Sequence, residues 1–195
     1  VPKRNIPNYT EFYELRHFTE ATAETAEYLT WGDQEFALSP MQVFQCTEMP
    51  EFTVGAEICE DLWVSNPPSS ALAAAGATIL YNLSASDEII GKAAYRRDLV
   101  RMQSGRGQCG YVYCDAGQGE SSTDLVFAAH NIIAENGSIL AQSKRFATGL
   151  TISEIDVKRM DYERRRQNTF HTEDVFDYAE IPFDMQLRET KLTRP

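Results

Sequence analysis

"TVGAEICEDLWVSNPPSSALAAAGATILYNL", residues 53–83, decides the fold. Residues 53–58 are a short apolar, β-rich run of the kind that suits a strand buried on both faces. A turn follows, and "PPSSALAAAGA" then enters through Pro67, Pro68 and two serines into an Ala-rich body, which predicts a helix. Residues 77–83 return to an apolar β-rich run. Strand, helix, strand predicts a layered α/β architecture.

The same texture continues on the C-terminal side. "IIGKAAYRRDLVRMQSGRG" (89–107) reads as a second helix running into glycines, and residues 111–116 (YVYCDA) as a third strand. The flanks read as hairpins. "QEFALSPMQVFQCTEM" (34–49) alternates with a break at Pro40, and "LVFAAHNIIAENGSILAQS" (125–143) sets Glu135-Asn136-Gly137 between two apolar runs, a strong turn signal. "GLTISEIDV" (149–157) reads as a last strand and "DVKRMDYERRRQNTF" (156–170) as a charged, exposed helix. From about Glu180 the chain becomes irregular, which predicts a linker.

Composition narrows the function classes. A chain of 195 residues, 43% hydrophobic and 24% charged, is that of a globular domain with a sizeable core. A net charge of -11 argues against nucleic acid or an anionic membrane surface as partner. No apolar run approaches the roughly 20 residues that span a bilayer, and no signal peptide is visible. Cys46, Cys59, Cys109 and Cys114 form no CxxC pair, so reduced thiols and a cytoplasmic location are expected. The sequons at Asn8, Asn82 and Asn136 then read as chance matches. The opening "VPKRNIPNY", without an initiator Met, reads like the middle of a domain, so the chain is expected to be a fragment.

Few motifs carry chemistry. "GRGQCG" (105–110) matches GxGxxG, but a helix precedes it and a strand follows, the reverse of a dinucleotide site. His17, His130 and His171 have no metal-ligand spacing, and no metal is expected. "YERRRQ" (162–167) reads as a solvated face or a contact with another subunit. Cys59 stands out because an apolar strand ends at it and a turn toward a helix follows, the place where α/β layers present nucleophiles. Glu60 and Asp61 raise the pKa of its thiol unless something compensates. On topology alone, an inert buried thiol and a nucleophile both stay open.

A resemblance weighs between them. "PKRNIPNYTEFYELRHF" followed by "GAEICEDLWVSNPPSS" resembles the carbon-nitrogen hydrolase (nitrilase) superfamily, and more closely the glutamine amidotransferase domain of glutamine-dependent NAD synthetases. The matching motifs run in order: Lys3 to Tyr9, Phe12 to Glu14, Glu57 to Trp63, Asn82 to Ser86 and Tyr95 to Ser104, with "GQGESSTDLVFAAH" and "ENG" beyond. The likeness covers Val1 to about Phe146 and is looser to the end.

The resemblance implies a four-layer αββα sandwich lacking its first strands and helix. It implies a partial hydrolase domain over residues 1–180 and an extension over 181–195 toward an absent synthetase domain. Cys59 is implied as the nucleophile, Lys3 as the cation for the oxyanion, and Glu14 as a second glutamate that orients the lysine. Tyr9, Glu60, Trp63, Ser86 and Lys92 fall at positions that contact glutamine in such enzymes. Some of those enzymes carry arginine where Lys92 stands, and lysine offers a point charge in place of a bidentate fork. The family's general-base glutamate belongs to a segment before the point where this sequence begins, so the chain alone is expected to show little or no glutaminase turnover. ATP and magnesium are expected on the synthetase domain, with no cofactor in this chain; the expected partners are glutamine, that domain and further copies of the chain. Two alternatives remain: a stand-alone amidase or nitrilase acting on another amide, and an inactive nitrilase-like interaction module.

Overall fold

The structure is a computed structural model that describes residues 1–25, 27–120, 123–170, 177–186, 188, 192 and 193. The three apolar runs form its centre: β4 (Thr53–Ile58), β5 (Ile79–Ser84) and β6 (Gly110–Asp115). They lie parallel, with Ile58 opposite Leu83 and Leu83 opposite Cys114, so their carboxyl ends finish at one level. The remaining strands of the sheet are β3 (Gln42–Cys46), β7 (Ile132–Glu135), β8 (Ser138–Gln142) and β9 (Ala179–Phe183), in the order β8-β7-β6-β5-β4-β3-β9. The sheet is mixed: β7 and β8 continue it antiparallel from β6, β3 runs antiparallel to β4, and β9 parallel to β3.

Helices α1 (Pro68–Ala74) and α2 (Lys92–Arg106) pack on this sheet, α1 against β4 and α2 against β6 and β7. Close approach of α1 depends on Gly55, where a Cβ would come within 3.1 Å of Leu72 and Ala77 and 3.0 Å of Leu80. The core under the helices joins Leu72, Leu80, Val100, Tyr111, Tyr113 and Ile132. The Asn136-Gly137 turn forms as expected, with φ of 44° and 82°, the left-handed pair that a two-residue hairpin needs. The "GRGQCG" glycines serve packing. A Cβ on Gly105 would sit 3.2 Å from the Gly137 Cα, and one on Gly110 would meet Ile155 at 2.8 Å.

Several sequence-based expectations need correction. The 34–49 segment is not a hairpin: β2 (Gln34–Leu38) pairs instead with β1 (Glu27–Trp31) across Gly32-Asp33, while β3 enters the main sheet. The break at Pro40 separates two sheets, and the β1–β2 hairpin is exposed throughout, with only Leu38 half-buried. Residues 149–156 form no strand; the last strand among the described residues is β9, which crosses the expected 180/181 boundary. Its Pro182 is tolerated because β9 is an edge strand. Helix α3 (Val157–Arg166) forms, but Met160 and Arg164 are buried, and Arg164 donates to the carbonyls of Ala77, Gly107 and Gln108. The central strands are not buried on both faces. Glu57, Leu80, Asn82, Tyr111 and Tyr113 are buried, whereas Val54, Ala56 and Val112 on the other face are half-buried and Leu83 is 59% exposed. The α/β layering expected from the sequence is present: seven described strands form one mixed sheet, on which α1 and α2 pack.

Candidate active site

The chain leaves β4 at Ile58 and folds into a single 3-10 turn, Cys59–Leu62. Cys59 takes a left-handed backbone, φ 50°, which a side chain with a Cβ adopts only when its surroundings hold it there. Asn82 of β5 supplies the hold. Its Oδ1 accepts from the Cys59 N–H at 3.1 Å, and its Nδ2 donates to the Cys59 carbonyl at 3.3 Å. Ser84 Oγ donates to the same Oδ1 at 2.7 Å. The thiol is thus set at the carboxyl end of the parallel strands, where ligand sites form in α/β sheets.

Cys59 stands between two cavities. The larger, about 790 Å³, is lined by Lys3, Glu14 and Cys59 together with Ile58, Ser84 and Asp115 from the ends of β4, β5 and β6. Lys3 Nζ pairs with Glu14 Oε2 at 2.6 Å. The smaller, about 430 Å³, brings Cys59 together with Tyr9, Glu60, Trp63, Ser86 and Lys92. All eight residues singled out in the sequence therefore line one or the other cavity, and the sulfur-bearing residue lines both. In the smaller cavity Tyr9 OH donates to both Glu60 oxygens, at 2.9 and 3.0 Å. Lys92 pairs with Asp87 and lies 5.2 Å from the Trp63 ring centre and 5.6 Å from that of Phe12, in cation–π range. Ser86 is buried; its N–H donates to Asp115 and its Oγ accepts from Arg96.

The electrostatics differ from the sequence reading in their source. The Cys59 thiol is pushed above its usual pKa chiefly by burial; Lys3 pulls it back, as do hydrogen bonds from Ala85 and Ser84, and Glu14 pushes it up. Burial also raises the Glu60 carboxyl, against the pull of Tyr9, Lys3 and Lys92. Burial raises Asp115 to about 6, with Arg96 opposing. Of the histidines, His17 is exposed and His130 is buried against Arg96, while His171 lies outside the described residues. Among the described residues no group of three His, Cys, Asp or Glu side chains is placed to hold a metal ion, and no helix is long and apolar enough to cross a membrane.

Sequence reasoning gave no structural role to the buried support beneath the turn. Glu57, 1% exposed, accepts from Ser69 N–H at the start of α1 (2.8 Å) and from Tyr111 OH. Burial lifts its carboxyl to about 7, partly opposed by those two bonds. A carboxyl raised in the folded state contributes stability that is complete below its unfolded pKa and is lost as pH rises through about 7. The Tm advantage of the wild type over Glu57→Gln should therefore shrink between pH 5.5 and pH 8 in thermal melts. A difference independent of pH would show that Glu57 does not titrate there.

Residues 4–165 match the carbon-nitrogen hydrolase family, to which this chain belongs. Its nitrilase-type fold is also that of a glutamine-dependent NAD(+) synthetase from Cytophaga hutchinsonii (TM-score 0.63, 23% identity, covering 84% of this chain and 28% of that one). More particularly, the chain is similar to the glutamine-dependent NAD(+) synthetases of Mycobacterium tuberculosis, 41% identical over 172 residues, and Mycobacterium leprae, 40% identical over 173. Those alignments take in 87% and 88% of this chain and 25% of each relative, so the chain spans about a quarter of their length.

Proposed function

We propose that this chain carries the nucleophile site of a glutamine-hydrolysing enzyme, in which the side-chain amide is cleaved through a thioester on Cys59. The observation that carries the reading is that Lys3, Glu14 and Cys59 share one cavity while Tyr9, Glu60, Trp63, Ser86 and Lys92 share the other, with Cys59 common to both. The sulfur attacks the amide carbon, the C–N bond breaks, and ammonia leaves carrying the thiol proton. Water then splits the thioester, releasing glutamate and returning a proton to sulfur. Lys3 stabilises the oxyanion of each tetrahedral intermediate, and Glu14, at 2.6 Å, holds the ammonium in place. Glu60 receives the substrate α-ammonium and Lys92 its α-carboxylate, which takes over from Asp87.

The ammonia serves ATP-dependent amidation of nicotinic acid adenine dinucleotide to NAD on a synthetase domain, where ATP and magnesium belong. The names and lengths of the mycobacterial relatives support this part of the reading.

Peptide mapping after treatment with a glutamine-like diazo-ketone tests the proposal without requiring turnover. Label is expected on Cys59 ahead of Cys46, Cys109 and Cys114, with glutamine protecting. Equal or absent labelling of all four favours an inactive module. Hydrolysis of aliphatic amides with glutamine ignored favours a stand-alone amidase.

A further inference from the structure

Asp61 reads in the sequence as an anion beside a thiol, a liability for a nucleophile. In the structure its carboxylate, 1% exposed, does something else. Oδ2 accepts from the Ile58 N–H at 2.9 Å, closing the turn that begins with Cys59. Oδ1 accepts from both the backbone N–H and the side-chain Nδ2 of Asn5, each at 2.8 Å. Asn5 lies two residues beyond Lys3 on a segment with no helix or strand of its own. Among the described residues, the Lys3 backbone is also tied by the Ala21 N–H, which donates to the Lys3 carbonyl at 2.9 Å. One buried carboxylate therefore joins the turn carrying the sulfur to the segment carrying the ammonium, 56 residues apart in sequence.

We propose that Asp61 is a positioning residue that clamps the Lys3 segment to the Cys59 turn and keeps the ammonium on the cavity wall that the sulfur lines. The proposal rests on the reading in which Lys3 serves Cys59. It has a signature that simple electrostatics cannot mimic. Removing a negative charge two residues from a thiol makes the thiol more acidic. Loosening Lys3 makes it less acidic. The two effects have opposite signs.

The test is the pH profile of Cys59 alkylation by iodoacetamide, followed by peptide mapping, in the wild type, Lys3→Met, Asp61→Asn and the double variant. Asp61→Asn is expected to move the Cys59 midpoint upward and to slow alkylation at pH 7.5 by about tenfold, one pKa unit. In the Lys3→Met background the same substitution should change the rate by less than about twofold, since the ammonium it positions is gone. Circular dichroism and continued resistance of Cys109 to the reagent report an intact fold. A downward shift, or equal slowing in both backgrounds, overturns the proposal. Should Asp61→Asn not fold, Asn5→Ala removes the side-chain bond from the far side, keeps the backbone one and leaves the turn intact; a smaller upward shift is expected, and none overturns the clamp. Iodoacetamide needs no glutamine site. An unchanged rate in Lys3→Met sinks the proposed hydrolysis, whereas an effect there with none in Asp61→Asn sinks the clamp alone.

Discussion

Cys59→Ala abolishes covalent capture of the diazo-ketone, because the bond-forming atom is gone. The fold should survive the change. Asn82 grips the backbone of residue 59, both N–H and carbonyl, and neither bond involves the sulfur. Two of the other cysteines offer no replacement nucleophile. Cys46 and Cys109 are fully buried, and burial pushes the Cys109 thiol up to about 12. Cys114 is the informative control because it lines the same 790 Å³ cavity as Cys59. Intact mass and peptide mapping decide the matter. Label that moves onto Cys114 at the wild-type rate would mean that the cavity merely concentrates an electrophile.

Lys3→Met is the second large effect, and its two readouts should separate. Lys3 pulls the Cys59 thiol down against burial and Glu14, so its loss raises the thiol pKa further. Alkylation at pH 7.5 then falls by about 10- to 100-fold and recovers as pH rises. Amide hydrolysis, read where the enzyme turns over, falls further, by roughly 10²- to 10³-fold, because the oxyanion also loses its cation. A pH series distinguishes the two: raising pH restores alkylation but not hydrolysis. Equal recovery of both would reduce Lys3 to a modifier of the thiol.

The centre of the fold was legible because parallel strands read as apolar runs with helices between them. β4, β5, β6, α1 and α2 all lie where the sequence puts them. The edges were not legible. β9 joins the sheet by backbone hydrogen bonds despite Pro182, and a hairpin such as β1–β2, with almost no buried residue, leaves no core pattern to read. In the site, Lys3 and Glu14 carry no local signal; only the resemblance singled them out. Asn82 and Asp61 act through bonds spanning 23 and 56 residues, and no spacing rule reaches that far. The acidic run after Cys59 was visible, yet burial proves the larger cause of the raised thiol. Asp61, read as part of that run, spends its carboxylate on Ile58 and Asn5.

A crystal structure of the diazo-ketone adduct tests the central claim most directly. The carbonyl oxygen of the captured group stands where the oxyanion would form. It should lie about 3 Å from Lys3 Nζ with the sulfur–carbon bond on Cys59, and its amino-acid end should rest among Glu60, Lys92 and Trp63. An adduct on Cys59 whose carbonyl faces away from Lys3, with the ammonium in solvent, would contradict the account.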